Sequence, residues 1–232
     1  MLFSERYSTR LTSRVKGCLV FTMQRTTKSR GGRPWSFDRQ EATETAMRLF
    51  WRHGYEGVSI GDLTREIGVA PPSLYAAFGS KAGLYREALE RYEANFGSID
   101  RASVRAADSL GAAVRTLLEA AVRAVTHPDR ESGCMISSGM IECHPEHASL
   151  ARDAAMRRET MRKRIAEALQ PFADTEPVQR LARHLAAVMQ GISIQARDGA
   201  TPAELQEIVE EVVSGIEARH HREGGYVIPN GR

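Results

Sequence analysis

Ser59-Ile-Gly-Asp-Leu-Thr-Arg-Glu-Ile-Gly-Val-Ala-Pro-Pro-Ser-Leu-Tyr-Ala-Ala-Phe-Gly-Ser-Lys81 is the stretch on which the fold of this 232-residue chain turns. Ser59 with Asp62 three residues on has the spacing of a capping box, in which each member satisfies an amide of the other at a helix start. Leu63 and Ile67 form the apolar face of a short helix, and Gly68 ends it. Pro71 stands where a first-turn proline is tolerated and opens a second short helix through Leu74, Tyr75 and Phe78. Leu63, Ile67, Val69, Leu74 and Phe78 are spaced to share a small core. Two short helices about a glycine-led turn describe a helix-turn-helix, whose second helix is short enough to enter a major groove. Its outward residues Pro71, Pro72, Ser73, Ala76 and Ala77 are small and let the backbone come close to DNA. Tyr75 and Lys81 offer a hydroxyl and a cation to phosphates.

The flanking sequence is helical as well. Asp38 to Glu41 repeats the capping-box spacing, and Ala42, Ala46, Leu49, Phe50 and His53 mark one face of a helix that Gly54 can end. Ser80 caps a longer helix with Leu84, Tyr85, Ala88, Leu89 and Tyr92. Residues 97–109 are small and polar and read as a loop or helix end. Leu110–Thr126, Cys134–Cys143 and Ala148–Leu169 each have helical composition, punctuated by Pro128, Pro145, Pro171 and Pro177. Leu181, Leu185, Val188, Met189 and Ile192 form one stripe of a long helix. Thr201-Pro-Ala-Glu204 then supplies N-cap, first-turn proline and capping glutamate together. Leu205, Ile208, Val209, Val212, Val213 and Ile216 follow the i, i+3, i+4, i+7 rule without a gap. The expectation is about nine helices and no sheet.

Composition is compatible with a folded, helical chain: 42% of residues are hydrophobic, 26% charged and 6% aromatic. That apolar share excludes disorder along the whole length. Three cysteines are too few for a disulfide framework and point to a reducing, cytoplasmic setting. No apolar run approaches the roughly 20 residues of a membrane-spanning helix. The net charge of +3 is unevenly spread. Arg6, Arg10, Arg14, Lys16, Arg25, Lys28, Arg30 and Arg33 face only Glu5 in residues 1–34, so the remainder of the chain is net acidic. The basic block reads as a solvated, flexible arm that can meet a polyanion. Its apolar part, Leu19 to Phe21, is too short for a signal peptide and no small-x-small cleavage site follows. Translation from Met23 instead of Met1 still leaves a basic arm.

Residues 38–96 resemble the DNA-binding domain of the TetR/AcrR family of bacterial transcription repressors. The resemblance rests on Ala46-Met-Arg-Leu-Phe50, Gly54-Tyr-Glu-Gly57, Ser59-Ile60, Asp62-Leu63, Ile67-Gly-Val69, Ser73-Leu-Tyr75, Phe78, Ser80-Lys81 and Leu84-Tyr85. Gly133-Cys-Met-Ile136 and Val188 to Gly199 resemble one branch of the family. The resemblance implies an all-α fold: a three-helix helix-turn-helix domain followed by a helical ligand-binding and dimerisation domain. The corresponding organisation is an arm at 1–34, a DNA-binding domain at 35–82, a regulatory and dimerisation domain at 83–222 and a tail at 223–232. It implies phosphate contacts from Ser59, Tyr75 and Lys81. Pro71, Pro72, Ser73 and Ala76 would face the groove, with Arg33 in the arm reaching a neighbouring minor groove. The last two long helices, about Val178–Arg197 and Pro202–Arg219, would pair across a homodimer as a four-helix bundle.

The function so implied is a one-component repressor, bound to palindromic double-stranded operator DNA and released by an unknown small-molecule inducer. Met135, Met140, Met156 and Met189, with Met161, could line an adaptable pocket, and Gln190 could orient a ligand. Methionine at helical spacing also suits an ordinary core. Apolar walls poor in aromatic residues suggest a hydrophobic ligand. Cys134 falls where a redox- or electrophile-sensing branch of the family has a reactive cysteine, and a helix start there would lower its pKa. Small size and packing explain a Gly-Cys equally well. One feature departs from a simple DNA-binding head: residues 35–100 hold seven basic and ten acidic groups, and the second short helix has no Arg, Asn or Gln for bidentate base contacts.

Other chemistries find less support. Cys134, Cys143, His144 and His147 supply zinc donors but lack compact-site spacing, so no metal and no cofactor is expected. Ser103, Ser109 and Ser132 have no partner spacing for nucleophilic catalysis. Asp153 with Glu159, and Glu210 with Glu211, read as solvated helix faces. No enzyme is expected, and the enzyme alternative would be an all-helical catalyst retaining the head as a relic. A further alternative is an architectural or membrane-surface protein that binds polyanions through the arm without sequence preference.

Overall fold

Short polar side chains and glycines set the boundaries of the helices. The computed structural model describes residues 37–97, 99–172 and 175–224, and among these it contains nine α-helices and no strand. They are α1 (Arg39–His53), α2 (Ile60–Ile67), α3 (Pro71–Phe78), α4 (Lys81–Asn95), α5 (Arg101–Arg105), α6 (Leu110–Val125), α7 (Ala148–Leu169), α8 (Thr175–Arg197) and α9 (Pro202–Gly224). The basic arm, Arg33 included, and residues 225–232 lie outside the described residues.

Asp38 caps α1 by accepting the Gln40 and Glu41 amides at 2.7 and 3.2 Å. Ser59 and Asp62 form the reciprocal box on α2, with Asp62 N–H on Ser59 Oγ at 3.0 Å and Ser59 N–H on Asp62 Oδ2 at 2.9 Å. Gly68 closes α2 in the left-handed region (φ 77°, ψ 32°), which a Cβ disfavours. Ser80 and Thr201 cap α4 and α9.

In the head, α1 lies on α4 and on α2, and α3 packs between α2 and α4. The face that α1 buries is rotated from the expected one. Met47 and Trp51 are enclosed along with Ala42, Ala46 and Phe50, whereas Leu49 is half-buried and His53 exposed. The cause is tertiary: Trp51 meets Tyr92, late in α4, edge-on at 4.7 Å and lies 5.5 Å from Phe96, which caps the end of that helix. In the body, α6 packs on α9, α7 on α8, and α5 sits against α6 and α7. The α9 stripe buries Leu205, Val209, Val213 and Ile216 and leaves Ile208 and Val212 half-buried.

Cys134–Cys143 is not a helix, contrary to its composition. It is a run of turns between α6 and α7, preceded by Gly133 at φ 80° and containing Met140 at φ 54°. Its polar groups are taken by the tertiary structure. The Cys134 amide donates to Ser193 Oγ of α8 at 2.8 Å, and the carbonyls of Ile136 and Gly139 accept from Arg158 Nη1 of α7 at 3.1 and 2.8 Å. Ser-Ser-Gly has little intrinsic helix preference, so these partners win. The expected loop at 97–109 contains the one-turn helix α5, capped by Asp100.

Candidate nucleic-acid interface and effector cavity

The turn between α2 and α3 is held from below and bare above. Leu63 and Leu74 are fully buried, with Ala77 and Phe78 beside them, and Ile67 and Val69 are half-buried against them. This fixes which side of α3 faces outward. Pro71, Pro72 and Ala76 are exposed, Ser73 is partly so, and Tyr75 is 46% exposed although it is large and aromatic. Ala77 turns inward instead of joining this face. The face therefore offers small side chains and one phenol but no free first-turn amide, since Pro71 and Pro72 carry no N–H and the Ser73 amide donates to the Ala70 carbonyl at 3.0 Å. Lys81, the first residue of α4, sets its Nζ 4.1 Å from the centre of the Tyr55 ring, and this burial lowers its pKa while Glu56 nearby raises it. Ser59 is exposed, with its Oγ donating to Asp62 at 2.6 Å. That bond, the Ser59 amide and Arg65 together hold the Asp62 carboxyl well below the ordinary range.

The shortage of free positive charge in the head has a structural counterpart. Arg39 pairs with Glu87, Arg48 and Arg91 with Glu44, Arg65 with Asp62 and Glu66, and Arg52 with Glu131 beyond the head.

Residues 42–88, spanning α1 to α4, match the family described as bacterial regulatory proteins, tetR family. The HTH-type transcriptional repressor ComR of Escherichia coli K12 is 34% identical over 191 residues, covering 78% of this chain and 89% of that protein. The chain belongs to the TetR family. BdcR of the same organism, also an HTH-type transcriptional repressor, is 31% identical over 169 residues, covering 72% and 83% of the two chains. Among solved structures, the TetR-family regulator CifR, as a cysteine mutant on a 26-base-pair operator duplex, superposes with a TM-score of 0.73. It is 34% identical and covers 79% of this chain and 98% of that one. This TetR-family chain is thus a DNA-binding transcriptional regulator.

The body of this TetR-family fold encloses a cavity of about 210 Å³. Its walls come from Tyr92 and Phe96 at the end of α4, Val104 of α5, Leu117 and Ala121 of α6, Cys134, Met161 and Met189. Of the residues expected to line a pocket, the cavity gathers Met161 and Met189, and the sensor candidate Cys134 joins them in its wall. Met135 and Met140 are buried elsewhere, against a separate surface recess, and Gln190 is half-buried away from both. Met156 is 61% exposed on α7 and lines neither the cavity nor the recess. Tyr92 and Phe96 correct the expectation of walls poor in aromatic residues. Both lie on the face of α4 already marked by Leu84, Tyr85, Ala88 and Leu89, so the helical period carried their signal.

Cys134 is buried but starts no helix, contrary to the expected helix start there. The Ser137 amide donates to its Sγ at 3.4 Å instead. Burial, and then Cys134 alongside, push the Tyr92 phenol far above its ordinary range. Cys143 is half-buried and His144 and His147 lie with ring centres 6.3 Å apart at the Pro145 turn. Among the described residues no group of three or more His, Cys, Asp or Glu side chains converges as a metal site. None of their helices is long and apolar enough to cross a membrane.

Proposed function

We propose that this protein is a dimeric repressor that leaves a palindromic operator when a small apolar molecule enters the cavity of the body. The observation that carries this reading is the span of α4. The helix starts at Lys81, packed on Tyr55 in the head, and ends at Tyr92 and Phe96 in the cavity wall. A ligand that needs more room at Phe96 tilts the rod whose other end carries the helix-turn-helix. In a dimer paired through α8 and α9, two such tilts alter the separation of the recognition helices, which must match major grooves roughly 34–36 Å apart. The inducer acts through its differential affinity for the two spacings. Ser59, Tyr75 and Lys81 hold phosphates, Pro71, Pro72, Ser73 and Ala76 face the groove, and Arg33 follows the neighbouring minor groove. With few direct base donors, much of the specificity comes from DNA shape.

The test is selection of bound sequences from random duplexes, followed by release assays with apolar small molecules. An inverted repeat is expected, with release abolished in Ala121→Phe, whose ring occupies the cavity, while operator affinity is retained. Recovery of no motif, with binding lost only on removal of residues 1–34, would instead identify a nonspecific polyanion binder.

Cys134 in the same wall favours a second reading, in which an electrophile is the signal. Its thiolate would add to an activated alkene, forming a C–S bond while the resulting carbanion takes a proton from water. Release that persists in Cys134→Ser excludes it, and release that is lost, with a mass increase on Cys134 in the parent, selects it.

A further inference from the structure

Where the head meets the body, a recess of about 410 Å³ opens to solvent. Its walls are the α1–α2 loop, with Tyr55 and Glu56, the turn from Met135 to Glu142, Tyr85 of α4 and Arg197 at the end of α8. The volume lies in the range of small-molecule sites. Neither the helix-turn-helix nor the effector cavity uses these residues.

The chemistry of the recess is set by Arg197. The guanidinium is half-buried and donates through Nη2 to the main-chain carbonyl of Trp51, a neutral acceptor. Its Nε is buried without a hydrogen-bond partner, and among the described residues no carboxylate pairs with it. The arginines of the head are mostly matched to acids, whereas this one, on α8 of the body, keeps an uncompensated charge, with its Nε enclosed beside Gly133. A second uncompensated guanidinium, Arg158, braces the back of the recess through the carbonyls of Ile136 and Gly139. Tyr85 stands between them. Burial pushes its phenol up to about 12, and Arg158, Arg157 and Arg197 pull against that shift. Position 139 has no side chain, and a Cβ there would come within 3.1 Å of the Tyr85 hydroxyl. Met140 beside it holds a left-handed φ of 54°, a strained backbone of the kind that gathers at binding sites.

The acids at this recess face outward. Glu56 accepts the His144 amide at 3.1 Å and lies 3.8 Å from His147 Nε2, and Glu142 is exposed. Arg52 is already matched to Glu131. An anion is therefore stabilised at the Arg197 end, where water is least available, and an apolar body at the aromatic wall.

We propose that this recess is a second effector site, for a small aromatic carboxylic acid whose carboxylate pairs with Arg197 and whose ring lies against Tyr55, Tyr85 and Met135. Arg197 is also the α8 donor to α1, so the bound acid shares the guanidinium with the Trp51 carbonyl. Occupancy changes how the body grips the head without entering the cavity.

The experiment is calorimetric titration of the full chain, free of DNA, with benzoate and phenylacetate and with their uncharged amides. Submillimolar saturable binding of at least one acid is expected, with at least a tenfold loss for its amide. Arg197→Met should lower affinity tenfold or more and Arg197→Lys should fall between, since an ammonium keeps the charge but not the fork. Retained thermal transitions in both variants separate this from misfolding, and benzoate shifts of the Tyr85 ring resonances, measured in the parent, place the ligand independently. Three results overturn the proposal: no saturable binding of either acid at millimolar concentration, equal binding of acid and amide, or binding lost in Ala121→Phe but retained in Arg197→Met.

Discussion

The indole N–H of Trp51 in α1 donates to the main-chain carbonyl of Gly133, 82 residues away, in a buried hydrogen bond of 3.0 Å. The Trp51 carbonyl in turn accepts from Arg197, so one residue of the DNA-binding head is bonded through both its side chain and its backbone to the body. Arg52 adds a forked ion pair to Glu131 at 2.8 and 2.9 Å. The head is thereby attached to the body at the end of α1 as well as through the continuous helix α4.

Trp51→Phe keeps most of the apolar contact with Tyr92 and Phe96 but leaves the Gly133 carbonyl buried and unpaired. Such a vacancy costs about 1–3 kcal/mol. The midpoint of denaturant unfolding should fall accordingly. Operator affinity should fall less than the response to inducer, because the recognition face is untouched while one link to the body is cut. Unchanged stability would show that Gly133 finds another donor.

Two glycines with nearly equal φ should respond differently to alanine. Gly68 (φ 77°) has open space where a Cβ would go, so Gly68→Ala bears only the left-handed penalty of about 1–2 kcal/mol. A Cβ on Gly133 (φ 80°) would lie 2.6 Å from Arg197 Cγ and 2.9 Å from the Ser193 carbonyl. Gly133→Ala adds overpacking of about 1–3 kcal/mol to the same penalty. Comparison of the two melting curves tests the ranking.

Tyr75→Ala should leave the thermal transition within about 0.5 kcal/mol of the parent, since the side chain is exposed on α3. Operator affinity should drop about tenfold, the loss expected when a charge-assisted phosphate bond of roughly 1.4 kcal/mol is removed. Lys81→Ala should lower both quantities, because its ammonium also rests on the Tyr55 ring, a contact of about 0.5–1 kcal/mol. Band-shift titrations beside melts of the same variants separate the two behaviours.

Acid should loosen the body through Glu210. Its carboxyl is held down to about 2 from an ordinary 4.5, first by the Arg115 hydrogen bond and then by Gln206. The folded state resists protonation that the unfolded chain accepts. The stabilising contribution is therefore fully present above pH 4.5 and is lost as the pH falls through about 2. Arg115 is on α6 and Glu210 on α9, so Arg115→Met should flatten the dependence of unfolding midpoint on pH across that window. Parallel curves for parent and variant would contradict the assignment.

The helix-turn-helix was legible because its signals are local. Ser59 with Asp62, Gly68 at its left-handed turn and Pro71 in a first turn each act within four residues, and the buried partners Leu63, Leu74 and Phe78 follow from helical spacing. The stripe of α9 was equally clear. The rotated face of α1 was not, because Trp51 and Met47 are drawn inward by α4 and by Gly133, contacts that no period reveals. Methionines in the C-terminal half pointed only in part to the cavity: Met161 and Met189 reach it, whereas Met156 is exposed and Met135 and Met140 belong to the recess.

By itself, then, the sequence determined the helices that carry their own caps and periodicity, and with them the outward face of α3. Tertiary structure decided the conformation of residues 134–143, where Arg158 claims the Ile136 and Gly139 carbonyls that a helix would have used and Ser193 anchors the Cys134 amide. It also decided which side chains enclose space. Helix formation is specified by neighbours three or four residues apart. A cavity, or an arginine left without an acid, is defined by segments brought together from opposite ends of the chain.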